Sequence, residues 1–266
     1  MTRRLSIGDV RAILAMLPDR ADIVLVGGQA LNFWAEALAI ADARSTGAFG
    51  PALSEDIDFL GPPAAALAFA EATGGSVKLP RFDDAGSPNT GLVTFDIDGE
   101  LHVVDFLGGL QGFSFRELEE LRRFAVPVGR FVEGLPPLLV MHPVHCLQSQ
   151  LENVYGKALN RRTEPGGKRY IGRVRLAIEA CRRITERYLA AGDARSALKV
   201  AEKVHALSLP QAALRAQVED GVRIDEGILE SPAMPGEFLE QRLPQYRRIR
   251  ARRLKSFRPE RRRASS

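Results

Sequence analysis

The sequence predicts an α+β protein: an N-terminal mixed β-sheet flanked by helices, followed by an all-α C-terminal domain. Three observations carry this. Short β-rich runs alternate with helical segments as far as Pro136-Pro137, where the character changes. From Met141 to about Leu209 the chain shows long Leu/Ala periodicity and few β-branched runs. The 266 residues, 45% hydrophobic and 26% charged, are enough for one large domain or two smaller ones with a buried core. Residues 1–138 are therefore expected to form the sheet domain, 139–241 a helical domain and 242–266 a basic C-terminal tail.

The elements follow in order. Residues 6–17 read as an amphipathic helix, with Ser6 a plausible N-cap. Asp9 and Arg11 interrupt its apolar face, which sets it apart from a signal peptide. ADIVLV (21–26) is a short β-rich run ending in Gly27-Gly28, and QALNFWAEALAIADA after it is strongly helical. A Gly- and Pro-containing loop precedes a strand at 55–60. PPAAALAFAEATGG has Pro at its start and Gly at its stop, the usual punctuation of a helix. A strand near 76–79 and a polar loop come next. LVTFDID and ELHVVDFL then flank Asp98-Gly99, a strong hairpin signal. SFRELEELRRF opens with Ser114 and Glu117 in capping-box spacing. A last β-like patch is expected at 124–132. Past the helical stretch that begins at Met141, residues 210–230 are also expected to be helical.

Charge is unevenly spread. Residues 242–266 hold ten Arg and one Lys against Glu260, so +10 sits there and the remainder sums to −6. A basic segment on a mildly acidic body points to an anionic partner, nucleic acid first among them, against a plain solvated tail. No apolar run reaches the roughly 18 residues that a membrane helix needs. Two cysteines, Cys146 and Cys181, cannot make a disulfide framework, and a reducing cytoplasm is expected.

The carboxylates carry the chemistry. An Asp-Ile-Asp triplet occurs twice, at Asp56–Asp58 in SEDIDFL and at Asp96–Asp98 in TFDIDGEL. Alternate residues of a strand share a face, so spacing alone cannot choose between them. Context can. Asp98 opens an Asp-Gly turn, where an Asp is favoured by its backbone conformation. Asp56 and Asp58 stand among Ile57, Phe59 and Leu60, and burying two like charges is costly unless a cation compensates. Hard oxygen ligands suit Mg²⁺ or Mn²⁺. HVVDFL adds a third acid, Asp105, within an apolar run. If strands 55–60 and 101–107 are neighbours, three carboxylates converge, as two-metal phosphoryl or nucleotidyl transfer requires. Gly27-Gly28 would let a backbone approach phosphate at a helix N-terminus, or would merely permit a tight turn.

GGQAL (27–31), SEDIDFL (54–60) and HVVDFL (102–107) resemble the signature of the nucleotidyltransferase superfamily, the DNA polymerase β-like transferases. Within it the chain is most similar to the abortive-infection toxin nucleotidyltransferases of bacterial type IV toxin–antitoxin systems, which combine a GG-x-AL turn, a Ser-x-Asp-Ile-Asp strand and a helical C-terminal half. The motifs cover about residues 22–107. The resemblance implies a nucleotidyltransferase fold in which Asp56 and Asp58 bind both metals. Asp105 completes one metal site and helps to deprotonate the attacking hydroxyl. Gly27 and Gly28 contact the nucleotide phosphates. Relatives often add a Lys and, soon after it, an acid on the C-terminal helices. Here Lys168 and Arg169 could serve the nucleotide, but the acid is absent. The implied substrate is an NTP, the acceptor a hydroxyl of RNA, protein or a small molecule, and an antitoxin is an implied partner. The alternative is a non-catalytic nucleic-acid-binding protein that uses 242–263 and the basic stretch Arg161, Arg162, Lys168, Arg169, Arg173 and Arg175.

Other motifs favour structural roles. MHPVHC holds His142, His145 and Cys146 but has no nearby fourth ligand for structural zinc. A helix start at Pro143, with Cys146 and Leu147 turned to the core, is the expected reading. His102 falls on the strand face opposite Asp105, and Ser54 is expected to cap the entry to its strand, with help in positioning a phosphate the alternative.

Overall fold

The computed structural model describes residues 12–13, 15–16, 22–40, 57–81, 88–97, 99–131, 138–156 and 167–258. The chain divides into two compact units at Ser149/Gln150.

The first unit is built on a mixed seven-stranded sheet flanked by helices. Its strands are β1 (Val24–Val26), β2 (Ile57–Leu60), β3 (Ser76–Lys78), β4 (Asn89–Ile97), β5 (Glu100–Leu107), β6 (Val126–Pro127) and β7 (Leu139–Val140), in the order β3-β4-β5-β2-β1-β7-β6. β2 runs parallel to β5 and β1 parallel to β7, and the remaining neighbours are antiparallel. β1 and β2 are interior strands, which is why Val24, Leu25, Val26, Ile57, Phe59 and Leu60 are all buried.

Helix α1 (Gly27–Ala37) leaves β1 with no intervening turn, so the two glycines expected to form that turn are its first two residues. The buried Trp34 anchors it by donating its indole N–H to the Met141 carbonyl at 2.7 Å. Helix α2 (Pro63–Thr73) starts on Pro63 and stops at Gly74, whose φ of +63° a side-chain-bearing residue resists. Its Phe69 packs edge-on against Phe95, with ring centres 5.4 Å apart, and lies 5.9 Å from Phe106. Phe59 meets Phe106 at 5.6 Å. This aromatic cluster marks the sheet face that α2 covers.

β4 and β5 form the expected hairpin. Gly99 takes φ +82° and donates its N–H to Asp96 Oδ1 at 2.8 Å. Helix α3 (Phe115–Phe124) opens with the full capping box, the Ser114 N–H reaching Glu117 Oε2 at 2.8 Å. The β-like patch expected at 124–132 shrinks to β6, followed by a single 3₁₀ turn at Val128–Arg130. Pro127 has no N–H to continue the ladder. Helix α4 (Pro143–Tyr155) starts on Pro143, with Cys146 and Leu147 buried, and carries the chain across the division between the units.

The second unit is helical: α5 (Gly167–Ala190), α6 (Ala194–Leu207), α7 (Gln211–Asp220) and α8 (Leu243–Ser256). Asp193 caps α6, its Oδ1 accepting the Ser196 N–H at 3.0 Å, and the Ser196 side chain, followed by this backbone N–H, holds the carboxyl below its ordinary range. The helix expected over 210–230 ends at Gly221, which takes φ +65°, and only a 3₁₀ turn at Ile224–Gly227 follows. Within the basic segment expected at 242–266, Leu243–Ser256 form a helix. One turn of π-helix (Phe238–Arg242) leads into it, and Phe238, Leu243 and Arg250 are buried. Among the described residues no helix is long and apolar enough to cross a membrane.

Candidate functional site

The site is assembled by register. β2 and β5 pair in parallel with Asp58 opposite Asp105, Phe59 opposite Phe106 and Ile57 opposite Val104. Opposed residues of parallel strands share a face, and successive residues alternate. Ile57, Phe59, Val104 and Phe106 therefore pack beneath α2, and Asp58 and Asp105 emerge side by side, half-buried, on the other face.

β1 supplies the second component. Val26 is the antiparallel partner of Asp58, so the first residue of α1 lies against that carboxylate. A Cβ placed on Gly27 would stand 2.1 Å from Asp58 Oδ2 and 3.0 Å from its Cγ. Gly27 also takes φ +65°. Space and backbone conformation both demand glycine here. Gly28 follows, buried in the first helical turn. The N-cap, Val26, offers no side-chain cap to the leading N–H groups, and no acid occupies the first turn of α1. The carboxylate at this helix start comes instead from β2.

Asn89, expected within a polar loop, instead begins β4 and adds a further contact. Its Nδ2 donates to Asp105 Oδ1 at 3.3 Å. A register shift between Asn89 and Gly91 brings it there. An amide one strand away from an acid is a weak signal in sequence, because it depends on the bulge.

The other candidates fall as follows. Asp56, like Ser54 and Asp98, lies outside the described residues. Asp96 is exposed and serves the hairpin turn. His102 is paired with Phe95, two and four residues from Val104 and Phe106 on the face under α2, and so faces away from Asp105. Lys168 is exposed on α5 of the second unit, and Arg161 and Arg162 lie outside the described residues. Cys146 is inert as a nucleophile because complete burial pushes its thiol far above the ordinary value. Among the described residues no group of three or more His, Cys, Asp or Glu gathers as a metal site. Two acids of the expected three are described.

The second unit holds a separate polar cluster around a cavity of about 300 Å³. Arg250 is buried there, with Nη2 3.1 Å from Asp225 Oδ1 and a hydrogen bond to Gln217 Oε1. Burial lowers the Arg250 pKa, and Asp225 opposes that shift. His205 stacks flat on Tyr246, with ring centres 3.7 Å apart, and burial lowers its pKa, as does the neighbouring Arg250.

Compared with known proteins, the chain matches no family model, no curated protein and no solved structure.

Proposed function

We propose that the chain is a metal-dependent nucleotidyltransferase that moves a nucleoside monophosphate from an NTP to a hydroxyl acceptor. The observation that carries this reading is the in-register pairing of Asp58 with Asp105, with the Asp58 carboxylate set against Gly27 at the first turn of α1. Like charges on opposed positions of neighbouring strands repel, and a divalent cation removes that repulsion. The donor set fits Mg²⁺ or Mn²⁺, since both groups are hard carboxylates. Asp58 and Asp105, with Asp56, would hold it. Bound there, it would supply charge neutralisation at the triphosphate and acidify the attacking hydroxyl.

The chain's own residues do the rest. The leading N–H groups of α1, at Gly27 and Gly28, would bind phosphate oxygens, where the helix dipole favours negative charge. Asn89 holds the Asp105 carboxylate through its amide. Asp105 accepts the proton as the acceptor oxygen bonds to the α-phosphorus. The bond to the bridging oxygen breaks, and pyrophosphate leaves with its electron pair.

The test is incubation with each α-³²P-labelled NTP, Mg²⁺ and total RNA or protein. Label should move to a macromolecule with wild-type protein and not with Asp58→Asn. Label transfer by Asp58→Asn at the wild-type rate would sink the reading. A toxin-like role belongs to the same proposal: expression of the wild-type chain, and not of Asp58→Asn, should arrest growth.

A further inference from the structure

Helix α8 has no acid in its fourteen residues, yet its cations are not equivalent. Leu243, Tyr246, Arg247 and Arg250 recur at i, i+3, i+4 and i+7 and form one line along the helix. This line fastens α8 to its unit. Leu243 is buried, Tyr246 stacks on His205, Arg247 pairs with Glu230, and Arg250 meets Asp225 and Gln217.

The opposite line is Arg248, Arg252 and Lys255, at i, i+4 and i+7. All three are exposed, and among the described residues none of their side chains makes an ion pair or a hydrogen bond. Other exposed arginines of the same unit are answered within it: Arg183 of α5 meets Glu179 at 2.9 Å and Glu186 at 3.2 Å. At a rise of about 1.5 Å per residue, the unanswered line runs about 10.5 Å along the helix.

We infer that this outer face of α8 is a docking surface for the phosphate backbone of a polynucleotide, with Arg248, Arg252 and Lys255 each neutralising a phosphate. Charge complementarity selects this occupant. A strand carries about one phosphate charge per 3.4 Å in helical geometry, so about three phosphates span the line of about 10.5 Å. A helix that lies on a membrane inserts large apolar side chains, and a protein interface buries them at its centre. The outer line has none; of its neighbours, Ala251 is small and Ile249 is half-buried. Backbone binding needs only the charges and the counterions they release. The inference concerns the second unit alone and stands independently of the carboxylate site.

The experiment uses the full chain and a fluorescently labelled single-stranded RNA of mixed sequence, read by anisotropy across a salt series. The variants are Arg248→Gln/Arg252→Gln/Lys255→Gln and a charge-matched control, Arg187→Gln/Arg195→Gln/Lys199→Gln, each shown to fold by circular dichroism. Loss of three phosphate contacts should weaken binding about 50-fold at near-physiological salt and flatten the log–log salt slope by about 2. The control should bind as wild type does. The inference is overturned if the outer-face variant binds like wild type, or if the control weakens equally. It is also overturned if wild-type protein binds anionic phospholipid vesicles and no RNA.

Discussion

In the first unit Asp58 and Asp105 set two negative charges in register on adjacent strands, whereas in the second unit buried charge meets its opposite. Arg250 lies against Asp225, and Arg223 meets the other oxygen of Asp225 at 3.0 Å. The contrast separates two uses of charge. A matched pair holds elements together and is silent about ligands. Two like charges set in register on adjacent strands call for a different account, and the metal site proposed above is the one offered for them.

This comparison can be broken at several points. The largest effect is expected at the like-charge pair. Asp58→Asn or Asp105→Asn should lower pyrophosphate release by about 10³-fold, the scale of a lost catalytic acid–base group. In the second unit, Arg250→Met leaves Asp225 without its buried partner and should cost about 3 kcal/mol of stability, read by urea denaturation. A smaller effect sharpens the role of Gly27. Gly27→Ala and Gly74→Ala each force an alanine into positive φ, costing about 1–2 kcal/mol. Only Gly27→Ala meets a carboxylate, whereas a Cβ at Gly74 meets nothing within 4 Å. Gly27→Ala should therefore also abolish turnover, and Gly74→Ala should retain it.

The smallest effect concerns pH. Burial holds the native pKa of His205 below the ordinary 6.5, so the unfolded chain takes up its proton first. The stability this contributes is present above pH 6.5 and is lost as pH falls through the lowered native value. Arg250, Asp225 and Tyr246 face the ring. His205→Gln should flatten that part of the stability–pH profile in the second unit, measured by thermal unfolding between neutral and mildly acidic pH.

Much of the first unit was legible because its signals are local. Gly74 and Gly99 sit where positive φ is needed, Ser114 and Glu117 form their box, and Pro143 starts its helix. Asp58 and Asp105 could be singled out because an acid inside an apolar strand is conspicuous. Their adjacency could only be conditional, since strand order is a long-range property. Asn89 escaped because a bulge, which no residue pattern encoded, aims it at Asp105. Arg250 escaped for a different reason: within a run of arginines nothing in sequence separates the one that meets Asp225 from those facing solvent. The helix expected over 210–230 stops short because Gly221 takes a left-handed conformation that ends it.

The most direct measurement is the initial rate of pyrophosphate release from NTP with Mg²⁺ for wild type, Asp58→Asn, Asp105→Asn and the double variant. If the two carboxylates act as one site, each single change loses about as much as both together. Retention of the wild-type rate by either single variant would contradict the account.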